Sequence, residues 1–329
     1  MSTKETSADT QTLRIIINPI SGTRSKKGID KVIRKMLSQA GYNVDICYTT
    51  CKGDATRLAS EAIARGYYGV VACGGDGTVN ETATALCGSK VILGIIPMGS
   101  GNGLARHIDI PVHLRESLRV IAQNHSVACD YGTANGKAFF CTFGVGFDAA
   151  VSERFAHAPK RGLATYIKST IDEFAGYEPE EYTIIANDQV ITERAFLIAA
   201  CNASQYGNNA FIAPHASITD GLLDITIIHK GNPITRAFSG FEVLAGTLGQ
   251  NAMSDIIRTR ELTIIRNGRG AAHLDGDPAK MPERIEILCH PGQLRIFTPR
   301  KKMRFIPIIS PMWLSMKDMY FKTLNLLHI

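Results

Sequence analysis

The 329-residue sequence lacks a run of apolar residues long enough to cross a membrane. A spanning helix needs roughly 18 or more such residues, and the most apolar late segment, residues 305–316, is broken by Pro307 and Pro311. Residues 1–12 are polar and lack the apolar stretch of a secretory signal. We therefore expect a cytoplasmic protein with a disordered arm over residues 1–11, whose membrane contact is peripheral.

The eight cysteines are not spaced as metal ligands, because no C-x-x-C pair occurs. Most of them stand in apolar, strand-like surroundings, which are typical of reduced core thiols. Lys and Arg outnumber Asp and Glu by 36 to 30, a balance of +6 that is compatible with an anionic partner. The sequence has no recognisable nucleic-acid-binding module, so we expect no nucleic-acid partner.

The hydrophobic pattern of the first part alternates short apolar runs with amphipathic segments. This alternation is typical of βαβ units on a parallel sheet. The predicted strands are residues 13–17, 44–48, 69–73 and 91–96, and the predicted helices are residues 29–40, 54–65 and 78–86.

After about residue 128 the pattern changes to short β-prone runs separated by turn residues, which predicts a second, mainly antiparallel β domain. Its predicted strands are residues 138–143, 182–186, 196–201, 222–228, 262–265, 284–289 and 294–298, with helices near 164–174 and 234–248. We therefore divide the chain into an α/β domain (12–128), a β domain (129–299) and a C-terminal segment (300–329).

Three predicted strands of the first domain end in small, polar, glycine-rich loops: Asn18–Gly22, Gly74–Glu81 and Pro97–Gly103. Ligands of open α/β sheets collect at the carboxyl ends of strands, and glycine lets the backbone approach phosphate oxygens closely. Each loop alone could be a tight βα turn. Three of them in succession favour a nucleotide site, although neither a Walker A sequence nor the G-x-G-x-x-G spacing is present.

In this order the loops resemble the diacylglycerol kinase catalytic domain, which is shared with sphingosine and ceramide kinases and bacterial lipid kinases. The resemblance continues through Gly144–Asp148, Asp220–Asp224 and Leu274–Asp277. It implies a phosphofructokinase-like α/β nucleotide domain followed by an antiparallel β-sandwich lipid-binding domain. It also implies an enzyme of lipid metabolism that uses ATP and Mg²⁺ to phosphorylate the hydroxyl of a membrane lipid.

The resemblance also implies the site residues. ATP is expected on Asn18, Pro19, Ser21, Gly22, Thr49, Gly74, Gly75, Asp76, Gly77, Thr78, Asn80 and Ser100. The expected catalytic carboxylates are Asp76, Asp275 and Asp277. The family has an Asp-Gly-Glu element where this chain has Asp275-Gly276-Asp277, one methylene shorter, so which of the three carboxylates is the general base stays open.

A structural magnesium ion, by the same resemblance, would bind Ser217, Asp220 and the carbonyl oxygen of Leu222, the oxygen ligands that a hard cation prefers. Lys160 and Arg161 resemble a basic element that contacts nucleotide phosphates in sphingosine kinases. A solvated basic turn is an equally good interpretation of these two residues.

The lipid substrate stays open at this point. The loop Gly99–Gly103 resembles sphingosine and ceramide kinases, whereas Gly74–Thr78 and Phe147–Ala149 resemble bacterial diacylglycerol kinases. Sphingosine kinases place a headgroup-binding acid where this chain has Ala150, and Asp148 stands two residues earlier. Diacylglycerol and a sphingoid base or ceramide are therefore both candidates.

The last segment combines a basic cluster at residues 300–304 with apolar residues at helical spacing: Trp313, Met316, Tyr320, Leu324 and Leu327. Such a helix could lie on an anionic membrane, return to the first domain, or join a second subunit in a homodimer. Two other functions compete with the lipid kinase: an NAD kinase, which shares the Gly-Gly-Asp-Gly turn, and a non-catalytic regulator that binds lipid or nucleotide.

Overall fold

The computed structural model describes residues 11–22, 26–158, 163–174, 176–249 and 253–300. Contacts along the chain divide it into two units. Within the described residues, unit 1 contains 11–129 and 292–300, and unit 2 contains 130–291. The division falls inside two strands, β5 (Ser126–Ala134) and β17 (Arg284–Phe297).

Unit 1 is built on parallel strands in the order β4, β3, β1, β2. Its strands are β1 (Thr12–Ile17), β2 (Asn43–Tyr48), β3 (Gly69–Gly74) and β4 (Ile92–Pro97), and its helices are α1 (Ile29–Gln39), α2 (Asp54–Ala64), α3 (Asp76–Leu86), α4 (Gly103–His107) and α5 (Leu114–Ala122). The end of β17 adds a parallel neighbour to β4. The sequence predicted β1 to β4 and α1 to α3 to within two residues, and missed α4 and α5.

The centre of this sheet is buried from solvent. Every residue of β3 and β4 is buried, as expected for parallel strands that are covered on both faces. Helix α1 buries Ile29, Ile33 and Leu37, one side chain per turn, against this core. The amphipathic helices therefore cover the sheet and stabilise it. The loops that follow its parallel strands lie at one edge.

Unit 2 is antiparallel. Its strands after β5 are β6 (Lys137–Phe139), β7 (Thr142–Gly146), β8 (Glu180–Ala186), β9 (Gln189–Cys201), β10 (Gln205–Gly207), β11 (Ala210–Phe211), β12 (Leu223–His229), β13 (Ser254–Thr259), β14 (Glu261–Arg266), β15 (Gly270–Leu274) and β16 (Asp277–Met281). The order is β16, β15, β7, β9, β8, β14, β17, with β12 joining β9 to β13. Its helices are α6 (Phe147–Ala156), α7 (Leu163–Phe174) and α8 (Pro233–Ala245).

These units confirm the predicted fold class, an α/β domain followed by an antiparallel β-sandwich-like domain. Three strand predictions were wrong in their bounds. Residues 138–143 span the end of β6, a bend at residues 140 and 141 and the start of β7, and the separate strands predicted at 284–289 and 294–298 are one strand, β17. In the described part of the chain, no helix is long and apolar enough to cross a membrane.

Candidate active site

The three glycine-rich loops of unit 1 pack backbone against backbone at the ends of β1, β3 and β4. A Cβ atom on Gly22 would lie 1.8 Å from the carbonyl oxygen of Met98, and one on Gly99 would lie 2.6 Å from Cα of Gly75. The amide of Met98 also donates to the carbonyl of Gly74 at 2.7 Å. The expected convergence of the loops therefore depends on the absence of side chains at their contacts.

Asn18 and Thr78, two of the predicted nucleotide residues, are hydrogen-bonded to each other. Asn18 Nδ2 donates to Thr78 Oγ1 at 3.1 Å, and the Asn18 amide donates to the carbonyl of Cys73 at 3.0 Å. Thr78 is buried and occupies the space that a side chain on Gly74 would need, with Oγ1 2.5 Å from that position. The first two loops are therefore one hydrogen-bonded unit.

Asp76 begins helix α3, and its carboxylate anchors the third loop. Oδ2 accepts from the Asn102 amide at 2.9 Å, and Oδ1 accepts from the Gly103 amide at 2.7 Å, at the start of α4. Burial raises the pKa of the Asp76 carboxyl, and these hydrogen bonds oppose the shift. The carboxylate therefore positions the loop at residues 99–103.

Two cations that the sequence interpretation missed stand at these loops. Lys26 Nζ donates to the carbonyl oxygens of Asn18 and Ser21, both at 2.5 Å, and to Ser21 Oγ at 2.7 Å. Arg106 Nε donates to the carbonyl of Gly101 at 3.0 Å. Burial lowers the pKa of both side chains. The pair Lys26-Lys27, just after the first loop, was a signal that could have identified Lys26.

Thr49, another predicted nucleotide residue, lies just after β2, and its amide donates to the carbonyl of Ile17 at 3.0 Å. The shape of the segment after β2 is set by two carboxylates. Asp54 Oδ2 accepts from the amide and hydroxyl of Thr50, at 2.7 and 2.6 Å. Glu81 Oε1 accepts from the amide of Gly53 at 2.9 Å. Glu81 therefore caps α2 from α3.

The remaining predicted nucleotide residues differ in exposure. Pro19, Gly77 and Ser100 are exposed, whereas Ser21 and Asn80 are half-buried. A Cβ atom on Gly77 would meet nothing within 4 Å. Because the first N–H groups of a helix have no intrahelical partner, the open start of α3 suits an anionic group.

In unit 2 the predicted catalytic turn carries two different carboxylates. Asp275 accepts from three consecutive amides: Phe140 at 2.9 Å, Cys141 at 2.7 Å and Thr142 at 3.0 Å. Asp277 is exposed, and no hydrogen bond or ion pair holds its carboxylate within the described part of the chain. Asp275 therefore holds the turn in place, while the carboxylate oxygens of Asp277 remain available to accept a hydrogen bond or a proton.

The predicted magnesium ligands Ser217, Asp220 and Leu222 share one turn before β12. Asp220 Oδ1 accepts from the Leu222 amide at 3.1 Å, and Ser217 Oγ lies 3.2 Å from Thr219 Oγ1. Hydroxyl, carboxylate and carbonyl oxygens are the donors that Mg²⁺ takes. The residues present therefore fit the ion in their chemistry.

Asp130, which the sequence interpretation did not identify, contacts the turn that carries the predicted magnesium ligands. It is buried, and Oδ2 accepts from the Gly221 amide at 2.7 Å, while its own amide donates to the carbonyl of Ile218 at 2.7 Å. Among the described residues, no group of three or more His, Cys, Asp or Glu side chains is placed to hold a metal.

Some predictions fall on residues outside the described ranges. These are Lys160 and Arg161, the cluster at 300–304 beyond Arg300, and the apolar series Trp313, Met316, Tyr320, Leu324 and Leu327.

Comparison with known proteins decides the family. A curated diacylglycerol kinase of Bacillus subtilis (strain 168) is 33% identical over 232 residues, which cover 67% of this chain and 74% of that protein. The chain belongs to the diacylglycerol kinase family. The model of the diacylglycerol kinase catalytic domain matches residues 12–134, and the YegS C-terminal NAD kinase beta sandwich-like domain matches residues 141–298.

A second relative has a related name, and a solved structure is similar in fold. A protein of Pseudomonas aeruginosa PAO1 named "Probable lipid kinase YegS-like" is 28% identical over 265 residues, 79% of this chain and 86% of that protein. A crystal structure described as a diacylglycerol kinase from Bacillus anthracis str. Sterne has a TM-score of 0.70 at 20% identity, covering 89% of this chain and 98% of that one. Family membership makes this chain a phosphotransferase of the lipid kinase type, and a kinase family implies the use of ATP.

Proposed function

We propose that this family member transfers the γ-phosphoryl group of ATP, with Mg²⁺, to the free hydroxyl of diacylglycerol at a membrane surface. The observation that carries the proposal is the packing of three glycine-rich loops at the strand ends of unit 1, with Asn18 bonded to Thr78 and the third loop anchored by Asp76. Such a surface of backbone amides with adjacent cations suits a polyphosphate.

The choice of diacylglycerol over a sphingoid base rests on the region Phe147–Ala150. A sphingoid base carries an ammonium group, which a headgroup site would meet with a carboxylate. Position 150 is alanine, and Asp148, the nearby acid, is 5% exposed with its oxygens engaged by neighbouring donors. Unit 2 therefore offers no open carboxylate in this segment, which supports an uncharged lipid alcohol.

The general base is Asp277 in this proposal. In phosphoryl transfer the protein forms no covalent bond to the substrate; it orients the attacking hydroxyl and neutralises the charge that develops on the transferred group. The lipid oxygen bonds to the γ-phosphorus as the bond to the β,γ-bridging oxygen breaks, ADP leaves, and the hydroxyl proton passes to Asp277. Bound Mg²⁺ supplies positive charge that offsets the charge on the transferred group. Asp76 and Asp275 are unsuited to take the proton because backbone amides occupy their carboxylates.

The test is phosphoryl transfer from radiolabelled ATP, with Mg²⁺, to diacylglycerol, monoacylglycerol, sphingosine, ceramide and phosphatidylglycerol in mixed micelles, and to NAD. We expect labelled phosphatidic acid from diacylglycerol, and a loss of about 10²–10⁴-fold in kcat for Asp277→Asn. Asp76→Asn should also be inactive because an amide nitrogen would face the Asn102 or Gly103 amide.

The matched control is Asp188→Asn. Asp188 is an exposed turn residue at φ +60, a conformation that asparagine also adopts, so this variant should keep full activity. Transfer to sphingosine alone would overturn the choice of lipid. Transfer to NAD alone, or ATP binding without transfer to any acceptor, would overturn the lipid kinase proposal.

A further inference from the structure

A buried carboxylate–imidazole pair in unit 2 lies outside the residues so far given a role in catalysis. His273 is 1% exposed and Asp148 is 5% exposed, and His273 Nε2 lies 3.0 Å from Asp148 Oδ2. His273 stands on β15 opposite Gly144 of β7, and Asp148 stands in the first turn of α6. A Cβ atom on Gly144 would lie 2.2 Å from Asp148 Oδ2 and 2.4 Å from His273 Nε2. The glycine therefore makes room for the pair.

Two hydrogen-bond donors and one imidazole nitrogen contact the Asp148 carboxylate. Tyr206 Oη donates to Oδ2 at 2.8 Å, the Ala149 amide donates to Oδ1 at 2.8 Å, and His273 Nε2 faces Oδ2. Only an ionised carboxylate accepts from both of its oxygens without presenting a hydrogen of its own. The charge of Asp148 therefore places the imidazole hydrogen on Nε2 of His273.

The other ring nitrogen faces the predicted catalytic turn. The amide of Gly276 donates to His273 Nδ1 at 3.3 Å. An N–H donor needs a lone pair opposite it, so Nδ1 carries no hydrogen. Both contacts of the ring select the same neutral tautomer, which is how a second partner commonly fixes a functional histidine.

Gly276 lies between the two carboxylates of the turn. On one side, Asp275 is held by the amides of Phe140, Cys141 and Thr142. On the other side, Asp277 begins β16 without a hydrogen bond or ion pair to its carboxylate inside the described ranges. One residue before Asp277, the contact from Gly276 to His273 ties this turn to a buried side chain of unit 2, in addition to the ladder pairing of Asp277 with Leu274.

We propose that His273 is a positioning residue for the kinase reaction: Asp148 and Tyr206 fix its ring as the Nε2–H tautomer, and the ring holds Gly276 and thereby orients the Asp277 carboxylate. The proposal rests on the proposed function for the role of Asp277. A base displaced by about 1 Å can cost on the order of 10²-fold in rate. The pair therefore acts on the chemical step and leaves nucleotide affinity unchanged.

Two substitutions separate the two contacts of the ring. In His273→Asn the side-chain oxygen can take the place of Nδ1 and accept from Gly276, while the donor to Asp148 is lost. In His273→Gln the amide nitrogen can take the place of Nε2 and donate to Asp148, while the acceptor for Gly276 is lost. Asparagine is the larger truncation of this buried ring, so His273→Asn should have the lower Tm.

The proposal predicts that activity follows the opposite order. We expect kcat to fall about 10²-fold in His273→Gln and less than about 10-fold in His273→Asn, with KM for ATP within about 2-fold of wild type in both. The control is His229→Gln. His229, at the end of β12, has its Nδ1 2.8 Å from the Glu193 carboxylate, and loss of this imidazole should leave kcat unchanged. A loss of kcat that simply follows the loss of Tm, or no loss in His273→Gln, would overturn the positioning role.

The tautomer gives a second readout that does not need kinase activity. In ¹⁵N-histidine-labelled protein, with His273 assigned from its absence in His273→Asn, we expect one protonated and one unprotonated ring nitrogen, with the proton on Nε2. Asp148→Asn should shift this signal because an amide cannot accept from all three donors. A ring protonated on Nδ1 would overturn the proposal. An inactive wild type with the expected tautomer would instead count against the proposed function.

Discussion

Gly22 shows how much of this site depends on single residues. Its φ of +67 is a backbone conformation that residues with a side chain rarely adopt. The carbonyl oxygen of Met98 occupies the position that a Cβ atom would take. A side chain here would strain the backbone and also push the first loop away from the third. Gly28, at φ +76, has the same backbone requirement but nothing within 4 Å of its Cβ position.

We therefore predict that Gly22→Ala costs more stability than Gly28→Ala. Strain alone should lower the free energy of unfolding by about 1–3 kcal/mol in Gly28→Ala. Gly22→Ala should lose more than this and should also bind ATP at least about 10-fold more weakly. Urea unfolding and ATP titration measure the two effects. Equal stability losses and equal ATP affinity would show that the loop contact is unimportant.

Single residues also show where sequence reasoning stopped. The motif assigned Asp76, Asp275 and Asp277 to catalysis but could not distinguish them. Their surroundings distinguish them: backbone amides donate to the carboxylates of Asp76 and Asp275, whereas among the described residues no hydrogen bond reaches the carboxylate of Asp277. Arg106 belongs to no motif and Lys26 is marked only by the Lys26-Lys27 pair, and the folded loops bring both side chains to the backbone carbonyls of the site.

Helix α2 illustrates how an element at the site is held. Its first residue, Asp54, accepts from Thr50 and Cys51 and pairs with Arg57 at 3.1 Å. These hydrogen bonds hold the pKa of the Asp54 carboxyl well below its ordinary value. The folded protein therefore binds a proton at Asp54 less readily than the unfolded chain does.

The pH dependence of stability follows from this direction. Because the folded pKa is the lower one, the contribution of Asp54 is complete above the unfolded pKa, about 4, and is lost as pH falls toward the folded value. The stability difference between wild type and Asp54→Asn should therefore be largest near pH 7 and should shrink below about pH 4. Urea unfolding at pH 7, 4 and 3 measures it, with Asp188→Asn as the matched control. A difference that stays constant with pH would contradict the assignment.

The elements that were predicted incorrectly have local causes. Residues 138–143 look like one strand, but Asp275 takes the amides of 140–142, so the sheet pairing is interrupted there. Helix α6 was missed because it buries Asp148 and Ser152 together with Phe147 and Val151, which hides the helical period. Strand β17 was split in the prediction at Pro291-Gly292, where the chain continues although Gly292 has φ +63.

At the scale of the whole molecule, each unit has its own hydrophobic core. The core of unit 1 includes Leu13, Ile33 and Phe297, and a core of unit 2 includes Phe143, Tyr182 and Ile264. A ligand that binds only the native state stabilises it by mass action, by about 2.7 kcal/mol at a hundred times its Kd. Thermal unfolding is therefore a direct test of the nucleotide site.

We predict that ATP with Mg²⁺ raises the Tm of the full chain, whereas NAD at the same concentration does not. Thr78→Val removes the acceptor of Asn18 Nδ2 with little change in volume, so the increase caused by ATP should become smaller in this variant. Scanning calorimetry with and without each nucleotide measures the effect. An increase with NAD but not with ATP would contradict the proposed nucleotide.

The fold class of both parts, strands β1 to β4, helices α1 to α3 and the resemblance to the family followed from the amino-acid sequence alone. Those properties are encoded locally, in hydrophobic periods and in turns a few residues long. The tertiary structure sets which of the three carboxylates accepts no hydrogen bond within the described ranges, and which histidine contacts the buried Asp148. Asp148 and His273 are separated by 125 positions along the chain, and their contact exists because the register of β7 and β15 places His273 opposite a glycine. No local pattern specifies that register, since it results from the packing of the whole sheet.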